Sequence, residues 1–68
     1  MNRTLIGYRN LMNMTQTEMG QVIERSKQSY CRRENGTQEF KQSEMLKILE
    51  KINEKFPLMT MLELFTKE

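Results

Sequence analysis

The stretch that decides the fold runs from Thr15 to Gly36, TQTEMGQVIERSKQSYCRRENG. It opens on Thr15-Gln16-Thr17-Glu18, the Ser/Thr-x-x-Glu spacing of a capping box, in which a hydroxyl and a carboxylate satisfy orphan backbone N–H groups at a helix start. The spacing predicts a short helix that buries Met19, Val22 and Ile23. After a tight connection at Glu24-Arg25, Ser26 is placed to cap a further helix running to Asn35. Gly36 then has the freedom to take left-handed backbone just past that helix's end.

Upstream, Leu5, Tyr8 and Met12 recur at helical spacing and predict a helix from Arg3 to Met12, closed by Asn13 as a left-handed residue. Downstream, a loop from Thr37 to Phe40 leads into Met45, Ile48, Leu49, Ile52 and Phe56, the strongest buried helical stripe in the chain. Pro57 fits the first turn of a last helix, with Thr60-x-x-Glu63 as an alternative start. Leu58, Met61, Leu62 and Phe65 share one face of it. No stretch sustains period-two alternation, so the expected fold is all-α with five helices. No repeat or low-complexity run divides the chain, and the expectation is a single domain over residues 1–68.

A chain of 68 residues buries only about 60% of the surface its unfolded form exposes, so its core is simple. A single cysteine, Cys31, makes no internal disulfide, and the absence of histidine and aspartate removes a zinc finger and a histidine-based hydrolase. The expectation is a protein that is not an enzyme, with no metal, no cofactor and no small-molecule ligand. The seven methionines read as adaptable core filling. MNRTLIGYRN lacks the apolar run of a secretory signal, and no segment approaches the roughly 18 apolar residues of a membrane span, so a cytoplasmic location is expected. Charge is uneven: residues 1–33 hold six basic side chains against two acidic, a net of +4, and residues 34–68 hold five against seven, a net of −2. One face for a polyanion and another for protein contacts would account for that division.

The residues 15–36 resemble the helix-turn-helix of the Cro and lambdoid-repressor (XRE) family, whose usual pattern runs roughly [ST]QxxLAxxxGVSxxxISxxExG. Thr15-Gln16 opens the motif, Met19-Gly20 stands in place of Leu-Ala, Ser26 is the cap, Tyr30 takes the apolar core position, and Glu34-Asn35-Gly36 supplies the ending. The flanking helices extend the likeness over nearly the whole chain, including Arg9 ahead of Gln16. The resemblance implies a five-helix lambda-repressor-like DNA-binding domain and a transcription regulator, a repressor of phage or mobile-element type. Three positions depart from the pattern: Glu24 replaces the turn glycine, and Arg25 and Arg33 replace apolar residues. Glu24 implies strain or an altered turn. Arg25 and Arg33 are expected to lay their stems over the core and send their guanidiniums to solvent or phosphate.

In that geometry the second helix of the motif enters the major groove. Lys27, Gln28, Ser29 and Arg32 are then the base readers: Lys27 and Arg32 suit guanine O6 and N7, and Gln28 suits adenine N6 and N7. Thr15, Gln16, Arg25, Asn35, Gly36 and Thr37 are the expected phosphate contacts. The resemblance further implies an interior ion pair between Arg9 and Glu34. Tyr8 and Tyr30, by their helical spacing, read as packing residues. Specific binding by so small a domain calls for two copies on a palindromic operator, and Leu58, Met59, Met61, Leu62, Leu64 and Phe65 are the expected homodimer interface. Rival readings are an antitoxin-type regulator, and a protein-interaction module that keeps the fold without binding DNA.

Overall fold

A computed structural model describes residues 1–65; residues 66–68, included in the domain by the sequence reading, lie outside the described residues. Five α-helices follow one another: α1 (Arg3–Leu11), α2 (Gln16–Val22), α3 (Lys27–Glu34), α4 (Gln42–Asn53) and α5 (Met61–Phe65). No strand occurs among the described residues, and none of their helices is long and apolar enough to cross a membrane.

The local signals act as the sequence predicts. Thr15 Oγ1 accepts from the Glu18 backbone N–H at 3.1 Å while the Glu18 carboxylate accepts from the Thr15 N–H at 2.9 Å, which completes the capping box of α2. Ser26 Oγ caps α3 by accepting from the Ser29 N–H at 3.2 Å. Asn13 turns the chain after α1 with φ 55° and Gly36 turns it after α3 with φ 91°. A cap at Asn2, whose Oδ1 accepts from the Leu5 N–H at 2.9 Å, starts α1.

The core lies where α1, α2, α3 and α4 meet and is closed by α5. Leu5, Met19, Tyr30, Ile48, Ile52 and Leu64 are fully enclosed, with Ile23 beside them. Val22, Leu49 and Phe56 pack against this cluster from its edge. Tyr8 meets Phe56 edge to face at a ring separation of 5.0 Å, and Phe40 bridges Tyr30 at 6.1 Å and Phe65 at 5.5 Å. Helices α2 and α3 approach closely at Gly20. A Cβ there would lie 3.0 Å from the Arg25 carbonyl oxygen and 3.3 Å from Tyr30 Cβ.

The last helix corrects the sequence reading. α4 ends at Asn53, whose Nδ2 donates to the carbonyls of Phe56 at 3.0 Å and Met59 at 3.1 Å. Those bonds hold Pro57 in the connecting turn, and the alternative start operates instead, with Thr60 Oγ1 accepting from the Glu63 N–H at 3.2 Å. The later start rotates the helix face. Met59 and Leu64 (8% and 0% exposed) point into their own core, whereas Leu58 and Leu62 (90% and 77%) stand outside. Met59 and Leu64 are therefore removed from the expected dimer interface; Met61 and Phe65 are half-buried.

Candidate nucleic-acid interface

The site is built on the connection between α2 and α3. Ile23 and Arg25 both donate their backbone N–H to the Gly20 carbonyl, at 3.1 and 2.9 Å, and Glu24 donates to Gln21 at 3.1 Å. This fold-back puts Glu24 at φ 58°, the left-handed region where a side chain is strained and glycine is not. The Glu24 carboxylate takes Lys47 Nζ at 2.8 Å, and that hydrogen bond and charge hold its pKa below the ordinary value. Of the two consequences drawn from the missing glycine, the residue keeps the left-handed conformation.

Along α3, Lys27, Gln28 and Arg32 are exposed and Ser29 is half-buried. Helical periodicity places Lys27, Gln28 and Arg32 along one exposed arc with Cys31, half-buried, among them, and puts Ser29 at the edge of that arc beside Arg33. Two buried carboxylate centres, one on α3 and one on α4, hold the rest of α3.

The first is Glu34. It accepts from Arg9 Nε at 2.8 Å, from Gln16 Nε2 at 3.0 Å and from the Tyr30 hydroxyl at 2.7 Å. Arg9 also donates from Nη1 to the Met14 carbonyl at 2.9 Å. Burial opposes the Arg9 charge, but the hydrogen bond and attraction to Glu34 outweigh it and raise the guanidinium's pKa. Burial, reinforced by the bond to Glu34, pushes the Tyr30 hydroxyl far above the ordinary tyrosine range. Gln16, expected at a phosphate, thus gives one amide hydrogen to the interior.

The second centre is Glu44, in the first turn of α4, which sequence reasoning did not single out. Its carboxylate accepts from Arg25 Nε at 2.7 Å, Arg33 Nε at 3.1 Å and the Lys41 backbone N–H at 2.9 Å. Burial alone would raise its pKa; the Lys41 N–H, Arg25 and Arg33 outweigh it and hold the carboxyl below the ordinary value. Arg33 does not reach solvent or phosphate as expected. It is 6% exposed, and its Nη1 donates to Ser29 Oγ at 2.6 Å and the Ser29 carbonyl at 3.0 Å. A buried guanidinium needs a carboxylate and further acceptors, and Glu44 with Ser29 supplies them. Among the described residues Arg25 is held through Nε alone, and it keeps a third of its side-chain surface exposed (33%). Two arginines in place of apolar residues were the signal that an acid had to lie nearby.

Beyond α3 the expected phosphate contacts Asn35, Gly36 and Thr37 form one exposed turn. Asn35 Oδ1 accepts from the Thr37 N–H at 3.0 Å and from Thr37 Oγ1 at 2.7 Å, which fastens the turn to itself. Thr15, also exposed, spends its hydroxyl oxygen on the cap of α2. Compared with known proteins, the chain matches no family model, no curated protein and no solved structure.

Proposed function

We propose that the chain is a sequence-specific double-stranded DNA-binding transcription regulator of the repressor type, with α2 and α3 as a lambda-repressor-like helix-turn-helix and α3 seated in the major groove. The carrying observation is the sorting of charge on α3. Lys27, Gln28 and Arg32 are exposed, while Arg33 and Glu34 are buried on partners from α4 and α1. Side chains suited to base edges stand on one side of a helix whose other side is rigidly held, which is what direct readout requires. Arg25, anchored through Nε with surface to spare, suits a phosphate beside the groove.

The chain's greatest extent is 28 Å, less than the roughly 34 Å between successive major-groove half-sites. One copy thus covers a single half-site, and the proposal takes two copies on a palindromic operator, with the exposed pair Leu58 and Leu62 as the surface for pairing. Not being an enzyme belongs to the same proposal.

Selection of bound DNA from a random pool, followed by anisotropy titration against salt, tests the reading. DNA binding predicts an enriched, two-fold symmetric sequence and a log–log salt slope of about −0.9 per neutralised phosphate. Failure to enrich any sequence at low salt would leave the protein-interaction reading, which the exposed Leu58 and Leu62 favour.

A further inference from the structure

Ser29 is the third residue of α3, and its surroundings are unusual for a serine in a helix. Its Oγ accepts from Arg33 Nη1 at 2.6 Å, one turn further along. The direction of that bond is unambiguous, because a guanidinium donates and never accepts. Arg33 has no freedom to turn away: Nε is fixed on Glu44 at 3.1 Å and the side chain is enclosed. A serine inside a helix can give its hydroxyl proton to a carbonyl one turn back. Among the described residues the Ser29 hydroxyl donates to none, and its backbone N–H is spent on Ser26.

The hydroxyl proton is thus directed away from Arg33 and left for an outside acceptor. The second lone pair of Oγ remains, but the guanidinium bonded to the first draws electron density from the oxygen, which weakens acceptance of an incoming N–H and strengthens donation by the O–H. A serine by itself reads donors and acceptors on base edges alike. From this geometry we infer that Arg33 removes that ambiguity: it fixes the polarity of the Ser29 hydroxyl, so that Ser29 selects a base edge bearing an acceptor and rejects the cytosine amino edge. The inference rests on the DNA-binding reading and adds what Ser29 reads and which residue sets it. Arg33 is a positioning residue that itself touches no DNA.

The test starts from the sequence enriched by the wild-type chain. The base pair facing Ser29 is the one at which Ser29→Ala erases the preference while other positions hold. All four base pairs are then placed there and dissociation constants measured by anisotropy. The wild type binds edges presenting guanine O6 or N7, adenine N7 or thymine O4 roughly three- to tenfold more tightly than the cytosine edge, the worth of one hydrogen bond. Arg33→Met with Glu44→Gln, which removes the buried charges as a pair, reduces that ratio to below about twofold while the other positions keep theirs. A wild-type preference for cytosine, a flat wild-type profile, or an unchanged ratio in the double variant overturns the inference and leaves DNA binding intact. No enriched sequence at all overturns the DNA-binding reading first. Should the double variant not fold by circular dichroism, Arg33→Met alone, which leaves Glu44 on Arg25 and the Lys41 N–H, takes its place: a ratio reduced to below about twofold upholds the inference, and an unchanged ratio sinks it.

Discussion

The Tyr30 hydroxyl donates to Glu34 Oε2 at 2.7 Å across one turn of α3, with both residues buried. Arg9 from α1 and Gln16 from α2 close on the same carboxylate, and the Asn2 N–H donates to the Glu34 backbone carbonyl at 2.9 Å. One acid therefore fixes the end of α3 against two other helices and the start of the chain. Glu44 does the corresponding work from the other flank through Arg25 and Arg33. The exposed side of α3 is rigid because its concealed side is held at both ends.

Removal of single donors from Glu34 separates their contributions. Tyr30→Phe deletes a hydrogen bond to a charged group in a dry site and is expected to cost about 1.5–3 kcal/mol. Arg9→Met leaves the buried carboxylate without its counter-ion and is expected to cost about 3–5 kcal/mol. Urea unfolding at neutral pH measures both. Equal losses would mean that the charge of Arg9 carries no special weight.

The Glu44 centre makes stability depend on acid. Its folded pKa lies below the ordinary value of 4.5, so the unfolded chain takes up the proton first. The stabilisation is complete above about pH 4.5 and is lost as pH falls through the lower folded value. Glu18 and Glu24, also held below their ordinary values, titrate in the same direction. Glu44→Gln is less stable than the wild type at neutral pH and loses less on acidification, so the two unfolding curves converge as pH falls below the ordinary carboxylate value. A constant gap between them across that range would show that Glu44 acts by shape and not by charge.

Much of this was legible from residues that act locally. Thr15 with Glu18, Ser26, Asn13 and Gly36 impose caps and left-handed turns within a few residues of themselves, and the Ile48 and Ile52 stripe needs only helical periodicity. Glu44 was not legible, because its partners lie 19 and 11 residues away in sequence and only tertiary packing brings them together. The orientation of α5 failed for a different reason. Its sequence is apolar on several sides, so the face turned inward is set by where the helix begins, and side-chain bonds from Asn53 fix that point. The reading roles proposed for Lys27, Gln28 and Arg32 rest on exposure and chemistry together, which a sequence pattern states only in part.

Glu24 at φ 58° offers a stabilising substitution. Glycine takes this conformation without the Cβ clash, though it also enlarges the unfolded ensemble, and relief of the left-handed strain is the larger effect. Glu24→Gly is expected to raise the thermal midpoint by a few degrees despite losing the exposed contact to Lys47. Glu24→Ala, which loses the same contact and keeps the Cβ, lowers it. A fall for both variants would assign the stability of the turn to the Lys47 contact.

The inward and outward leucines of α5 and the turn before it respond oppositely to substitution. Leu64 is fully enclosed, and Leu64→Ala removes core volume at an expected cost of about 2–5 kcal/mol. Leu58 and Leu62 are exposed, so Leu58→Glu with Leu62→Glu leaves monomer stability within about 0.5 kcal/mol. If these leucines join two copies, the double variant runs as a monomer by light scattering at tens of micromolar where the wild type pairs. Its affinity for a two-half-site operator falls by about tenfold or more, because the second half-site no longer benefits from tethering. Affinity for a single half-site stays the same, since the side chains of α3 are untouched. Equal losses on one and two half-sites would locate the pairing surface elsewhere, and a monomeric wild type both free and on DNA would remove it from the chain altogether.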